Sequence, residues 1–406
     1  MVDMVLKSDI VKAFRAQQNL LKPYKTHISR AFLKNFQPNK KHIEVITGIR
    51  RCGKSTLMKQ IMQRYYRSVA FFNFEDSRIF GFEVSDFSKL DETMPPKVEA
   101  YFFDEIQNVA SWEIYIRQLH DRGAKIFITG YNASLLSKEL GTRLTGRHLR
   151  HEMFPFSYAE FLLFKKLKKS EASVSEYLLK GGFPEYLAAD NTDILQHLLK
   201  DIVLRDIAIR HHIRNTKTLM DMTLYLLSNI GKECSYNSLK KSFALGSANT
   251  AADYLAWLED SYLLFFVPRF SWSAKSIAVN PRKVYAIDNG LVNANTLSFS
   301  DDKGRLLENA VYIHLRQRPY VLYYFRENKE CDFVVLENRK CKMLIQVCHE
   351  LNADNKMRET EGLLEAMKFF KLKEGTIVTF SQQDTLQADG YTIHLVPISD
   401  FLLADV

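Results

Sequence analysis

The sequence predicts an α/β multidomain protein that opens with a parallel sheet. Three observations predict it. First, Gly48-Ile49-Arg50-Arg51-Cys52-Gly53-Lys54-Ser55-Thr56 reads G-x-x-x-x-G-K-S. It stands between the short β-branched run Ile43-Glu44-Val45-Ile46 and a segment that sets Leu57, Met58, Ile61 and Met62 at helical spacing. Second, strand-like runs alternate with helices from residue 41 to 155: Ile43 to Ile46, Val69 to Phe74, Ala100 to Phe103, Lys125 to Thr129 and His148 to Phe154. Alternation of that kind implies parallel strands with helices on both faces. Third, 406 residues exceed one ordinary core, so two to four domains are expected.

The remaining elements follow in order. Apolar positions from Asp9 to Leu33 recur at helical spacing, giving a basic helical arm over residues 1–40. The core with the loop covers 41–155. A nearly all-helical lid or linker, broken at Gly181-Gly182-Phe183-Pro184, covers 156–215. Residues 216–297 run helix, short helix, turn, helix and two apolar strands, which is a winged-helix pattern. After the polar joint Ser298-Phe299-Ser300-Asp301-Asp302, a third α/β unit covers 298–406, with a helix from Arg305 to Arg316 and four strands.

Composition narrows the classes. Hydrophobic residues make 46% and charged residues 25% of the chain, the balance of a soluble globular protein. No apolar run approaches the ~20 residues of a membrane span, and the first residues lack a signal-peptide pattern, so a cytoplasmic protein without membrane contact is expected. Five cysteines without a C-x-x-C pair argue against a disulfide framework or a zinc ribbon. The net charge is +9, and nine basic residues against three acids lie between Met1 and Glu44. Such a patch suits a polyanion or a solvated face equally.

The chemistry of the loop follows from its glycines, which let backbone N–H groups curl around a polyphosphate at a helix N-terminus. The expected binding set is Gly48, Arg51, Cys52, Gly53, Lys54, Ser55 and Thr56. Lys54 would reach the β- and γ-phosphates, and the Ser55 hydroxyl would ligate Mg²⁺. Ala100-Tyr101-Phe102-Phe103-Asp104-Glu105 is an apolar strand ending in two acids. Asp104 is placed to hold the Mg²⁺ shell, and Glu105 to act as the base that activates water. That pairing favours a hydrolase over a phosphotransferase, with ATP and Mg²⁺ as cofactors. Asn132, with Thr129 next, is the candidate sensor of the terminal phosphate. Arg143 and Arg147 are candidate arginine fingers, in cis or towards a neighbouring subunit, with ordinary surface charge as the alternative. Cys52 lies beside Lys54 at a helix start, an environment that lowers a thiol pKa; the favoured reading is a small residue tolerated at a variable loop position, with redox control of nucleotide binding as the alternative.

These residues resemble a widespread prokaryotic family of AAA+-type ATP-binding proteins with a C-terminal domain of unknown function. The resemblance rests on residues 48–56, Asp104-Glu105-Ile106-Gln107-Asn108-Val109 with Trp112-Glu113, Ile128-Thr129-Gly130, Leu144-Thr145-Gly146-Arg147 and Gly181-Gly182-Phe183-Pro184-Glu185. It covers nearly the whole chain. It implies an ASCE-class P-loop domain, a winged helix and a restriction-endonuclease-like C-terminal fold. Tyr131 departs from it, standing where the family usually carries a small hydroxyl residue.

Two further expectations concern the later modules. The helix that would enter a DNA groove, Asn249 to Asp260, carries three acids and no base. Ser247, Asn249 and Thr250 remain as readers, flanked by Lys240, Lys241, Arg269, Lys275, Arg282 and Lys283. The third unit resembles the PD-(D/E)xK nuclease fold, with Glu308 and Asp332 as its acids. The E-x-K position reads Gln346-Val347-Cys348, so a metal ligand has become an amide and the lysine a thiol. The site is degenerate. The expected protein is an ATPase whose other modules bind DNA, another nucleic acid or a protein partner, with a homo-oligomer required if a neighbour supplies the finger. An ATP-gated switch with little hydrolysis and an active ATP-dependent nuclease are the alternatives.

Overall fold

The computed structural model describes residues 5–19, 21, 28–131, 144, 146–296 and 303–404. The chain divides into two compact units, Met1–Met153 and Phe154–Val406.

The first unit contains α1 (Lys7–Asn19), β1 (Ile43–Gly48), α2 (Lys54–Tyr65), β2 (Val69–Asn73), α3 (Phe87–Asp91), β3 (Ala100–Asp104), α4 (Trp112–Asp121), β4 (Ile126–Gly130) and β5 (His148–Met153). The five strands form one sheet in the order β2-β3-β4-β1-β5, every pair parallel. Every residue of β1 and β4 is buried, as expected for strands covered on both faces. This order sets β4 between β1 and β3. The carboxyl ends of all three therefore lie side by side, and that edge is where open α/β sheets receive ligands.

The N-terminal helix is not a separate arm. Ile10, Ala13 and Phe14 of α1 belong to the same buried core as Phe72 and Phe103, and the Phe14 and Phe72 rings stack at 6.4 Å. Gln17 accepts the Asn73 N–H at 2.8 Å and donates to the Asn73 carbonyl at 3.2 Å, satisfying the end of the edge strand. Amphipathic spacing marked the helix but not its partner. Helix α1 thus contributes Ile10, Ala13 and Phe14 to the first core.

The second unit begins with α5 (Tyr158–Lys165), α6 (Glu171–Lys180), α7 (Pro184–Ala189) and α8 (Asp193–Lys200), followed by a π-helix over Asp201–Ile209. The Gly181-Gly182 break between α6 and α7 has a steric cause. A Cβ on Gly182 would lie 2.2 Å from the Phe156 carbonyl oxygen, and one on Gly181 would lie 2.1 Å from Asp288. The chain continues with α9 (Thr216–Leu227), β6 (Glu233–Cys234), α10 (Tyr236–Ser242), α11 (Ala248–Asp260), β7 (Leu264–Pro268), α12 (Ala274–Val279), β8 (Arg282–Ala286) and α13 (Asn289–Asn295). Its three strands form an antiparallel sheet in the order β6-β8-β7.

The last part holds α14 (Lys303–Arg316), β9 (Val321–Arg326), β10 (Glu330–Glu337), β11 (Lys340–Val347), α15 (Lys356–Phe370), β12 (Glu374–Thr379), β13 (Asp384–Ala388), β14 (Tyr391–Pro397) and α16 (Ile398–Phe401). A mixed six-stranded sheet runs β13-β14-β12-β11-β10-β9. Leu363, Ala366 and Met367 of α15 pack on its Val334, Leu344 and Ile377. The helix α15 and the strands β13 and β14 have no counterpart in the elements read from the sequence.

Candidate active site at the phosphate-binding loop

The loop after β1 is shaped by backbone constraints. Gly48 has φ 146°, and a Cβ there would meet the Met153 carbonyl oxygen at 2.1 Å, so β5 passes too closely for any side chain. Arg51 at φ 61° and Gly53 at φ 99° then turn the chain into the left-handed region. Successive turns of this kind point N–H groups inwards as an anion-binding concavity. Gly53 is the N-cap of α2 and has no side chain to cap its first amides. The Arg30 guanidinium braces the loop from outside by donating to the Cys52 carbonyl at 2.9 Å.

Lys54 is only 4% exposed. Its ammonium donates to the Gly48 and Ile49 carbonyls at 3.1 Å each and lies 3.7 Å from a Glu105 carboxylate oxygen. Burial alone would lower its pKa, but the Glu105 and Asp104 carboxylates outweigh that and hold it above the ordinary lysine value. Lys54 is therefore a buried, permanently charged cation at the mouth of the loop. The Ser55 hydroxyl bonds the Asp104 carboxylate, joining the two expected metal ligands directly.

Asp104 ends β3 and is fully buried. Burial, then the charge of Glu105, pushes its pKa up to about 6, against the hydrogen bonds from Thr129 and Ser55. Thr129, at the end of the intervening β4, donates to Asp104 Oδ1 and accepts the Glu105 N–H at 3.0 Å. Glu105 itself takes a left-handed conformation, φ 52°, which swings its side chain away from the strand direction. Its second oxygen accepts from Gln107 Nε2 at 2.6 Å. The donor set fits a metal–polyphosphate: a buried ammonium, a hydroxyl and a carboxylate able to share one hard cation, and a second carboxylate beside them.

Several expected residues fall elsewhere. Asn132 and Arg143 lie outside the described residues. Thr129 is committed to Asp104 and Glu105. Arg147 precedes β5, and its carbonyl accepts the Ile43 N–H at the start of β1. It lies at the opposite edge of the sheet from Gly48, roughly 15–20 Å away at the usual rise per strand residue, and its guanidinium pairs with Asp121 at 2.8 Å. That placement sets Arg147 away from the loop of its own chain. Tyr131 packs under the Arg50 guanidinium, 4.4 Å from the ring centre, so the large ring has a cationic neighbour in the loop.

Cys52 is the loop residue whose sequence neighbours alone would lower a thiol pKa. Its side chain is fully buried, and burial raises the thiol pKa despite the nearby Lys54 and Arg30 charges. Sequence proximity to a cation was visible, whereas desolvation was not.

In the last module Glu308 and Asp332 converge, but Gln346 and Cys348 do not join them as ligands. Gln346 accepts the Asp332 N–H at 3.2 Å and donates to Glu359 at 2.8 Å, and Cys348 donates to the Glu350 carbonyl at 3.0 Å. Between Glu308 and Asp332 stands Lys283, which sequence reading had assigned to a DNA-facing flank. Ser247, proposed there as a reader of bases, is instead the N-cap of α11, accepting the Thr250 N–H at 3.0 Å.

Residues 40–162 match the AAA domain family, and residues 171–302 and 303–401 match two domains of unknown function, DUF8612 and DUF4143. The uncharacterized protein MJ1544 of Methanocaldococcus jannaschii is 36% identical over 394 residues, spanning 89% of this chain and 87% of that one. An uncharacterized protein of Haemophilus influenzae is 31% identical over 384 residues, spanning 89% and 94%. Among solved structures, the Walker-type ATPase paby2304 of Pyrococcus abyssi aligns with a TM-score of 0.37 at 15% identity, covering 72% of this chain and 96% of that one.

Proposed function

Because this chain belongs to the same family as the uncharacterized proteins MJ1544 of Methanocaldococcus jannaschii and its Haemophilus influenzae relative, and carries an AAA domain, we propose that it binds Mg²⁺–ATP at the loop after β1 and hydrolyses it. One observation carries the reading: Lys54, Ser55, Asp104, Glu105 and Thr129 meet at the carboxyl edge of three adjacent parallel strands.

Bound Mg²⁺–ATP supplies the electrophilic phosphorus and the neutralising charge. The loop amides and the Lys54 ammonium bind the phosphates. Ser55 and Asp104 share the metal. Glu105 takes a proton from water, and Thr129 fixes the spacing of both acids through its single hydroxyl. Residues 216–297 then serve as a winged helix and residues 298–406 as a nuclease-like fold that binds without cutting, with nucleic acid or protein as partner. Asn132 is the sensor and Arg143 or Arg147 the finger; for Arg147 the recipient site is on a neighbouring subunit.

The ATP-gated switch is favoured by a specific observation. Both Glu105 oxygens are engaged, one by Lys54 and one by Gln107, so the base is held until Gln107 lets go. Steady-state hydrolysis with and without DNA separates the readings. Turnover that rises at least roughly tenfold with DNA supports a nucleic-acid-coupled ATPase; a flat low rate supports the switch, and no nucleotide binding at all removes both.

A further inference from the structure

Three carboxylates from two secondary-structure elements surround one buried ammonium in the second unit. Lys283 of β8 is 2% exposed. Its Nζ lies 2.8 Å from Asp332 Oδ1, 2.7 Å from a Glu330 oxygen and 3.2 Å from Glu308 Oε1. An ammonium has three N–H donors and no acceptor, so one carboxylate for each donor satisfies it completely. Burial would depress a lone lysine, but the acids around it hold Lys283 well above the ordinary value.

The surroundings are built rather than incidental. Side chains two apart on a strand share a face, and Tyr285, two residues beyond Lys283, donates to the same Glu308 oxygen at 2.6 Å. The strand β10 is irregular against β9 between Cys331 and Val334, which turns Asp332 out of the regular ladder. Its second oxygen accepts the Val347 N–H at 2.9 Å, where β11 ends. A bulge beside a converged acid is how sheets aim a side chain into a site. Among the described residues no group of three or more His, Cys, Asp or Glu has metal-holding geometry. The acids are spaced for nitrogen at about 3 Å and not for a hard divalent ion at roughly 2.0–2.6 Å.

We propose that the Lys283 ammonium occupies the position a divalent cation would take among these acids, so that the chain fills that position from within and fastens β8 to β10 and α14. The inference rests on the nuclease-like reading of residues 298–406, and adds that loss of cutting has two causes. Gln346 and Cys348 lack the needed chemistry, and Lys283 holds the ligands that remain. Removal of the ammonium leaves Glu308, Glu330 and Asp332 facing one another, a charge excess that a divalent ion of the Mn²⁺ type would relieve.

The test is Mn²⁺ binding to the full-length chain without nucleotide, counted by electron paramagnetic resonance and paired with thermal unfolding. Lys283→Met should unfold at lower temperature than wild type, bind one Mn²⁺ more per chain, and recover much of the lost unfolding temperature when Mn²⁺ is added. Lys283→Met combined with Asp332→Asn should lose the extra ion. A folded Lys283→Met chain with wild-type stoichiometry overturns the inference. If that variant does not fold, the wild type decides: an Mn²⁺ ion lost on Asp332→Asn overturns the inference, and its absence supports it. Failure of the nuclease-like reading registers separately. Mn²⁺-dependent DNA cleavage by the wild type that disappears in Asp332→Ala would show an active metal site, whereas Mn²⁺ gain by Lys283→Met without any DNA binding leaves the cation inference standing and removes only the nucleic-acid role.

Discussion

Thr129 donates its hydroxyl hydrogen to Asp104 across two neighbouring strand ends, so the acid expected to organise the metal is positioned by a side chain from the strand that separates it from the phosphate loop. The same oxygen accepts the Glu105 N–H. Thr129→Val keeps the shape and deletes both bonds. It should lower kcat about tenfold or more while ATP affinity changes little, and cost on the order of 1–3 kcal/mol of stability from the unpaired buried groups. Steady-state kinetics with equilibrium nucleotide binding checks this; a kcat equal to wild type removes Thr129 as the positioning residue.

Asp104 gives the site a pH dependence. Its folded-state pKa is raised from 3.8 to about 6, chiefly by burial, so below pH 6 the folded chain holds a proton on the carboxylate proposed to bind the metal. Metal binding has to expel that proton, and affinity for Mg²⁺–ATP should fall about fourfold between pH 7.5 and 5.5 beyond ATP's own protonation. Asp104→Asn should bind more weakly throughout and lack this slope. Parallel slopes for the two proteins would refute the assignment.

Cys52 should be inert in the native protein. Its burial and raised pKa predict that native chain at pH 7.5 alkylates at Cys52 far more slowly than denatured chain. Peptide mapping after iodoacetamide treatment reads it directly, and rapid native modification would restore the redox-sensitive loop that sequence neighbours suggest.

Asp288 accepts the Gly182 N–H at 2.6 Å and the Leu291 N–H at 3.1 Å, so the Gly-Gly motif is held by a buried carboxylate. Gly182→Ala should destabilise the second unit strongly through its clash with the Phe156 carbonyl while leaving ATP binding intact. Burial raises the Asp288 pKa from 3.8 to about 6 against its backbone hydrogen bonds. Protonation therefore favours the folded form: the contribution is full below about pH 4 and is lost as pH rises through 6. The stability advantage of wild type over Asp288→Asn should shrink by roughly 2.4 kcal/mol between pH 4 and 7, measurable by urea unfolding. An advantage that grows with pH contradicts the burial argument.

The phosphate loop and the two acids of β3 were legible because they are contiguous motifs whose strand and helix frame is local. The five strands of the first sheet were legible for the same reason. Long-range packing was not. Helical spacing in α1 showed an apolar face but not that β2 receives it. The helix α15 and the strands β13 and β14 were not picked out. Lys283 looked like one more surface base, since its partners Glu308, Glu330 and Asp332 lie 25 to 49 residues away and only folding brings them to it. At Cys52, Arg147 and Lys283, burial or strand register rather than residue type alone decides the surroundings of the side chain.

The central claim is that Glu105 is the base of an ATP-hydrolysing site, and Glu105→Gln tests it most directly because the amide keeps the size and cannot take the proton. Mg²⁺–ATP binding and steady-state phosphate release should be measured on the same preparation. The account predicts ATP affinity within about threefold of wild type and turnover reduced at least a hundredfold. Phosphate release at the wild-type rate would contradict it.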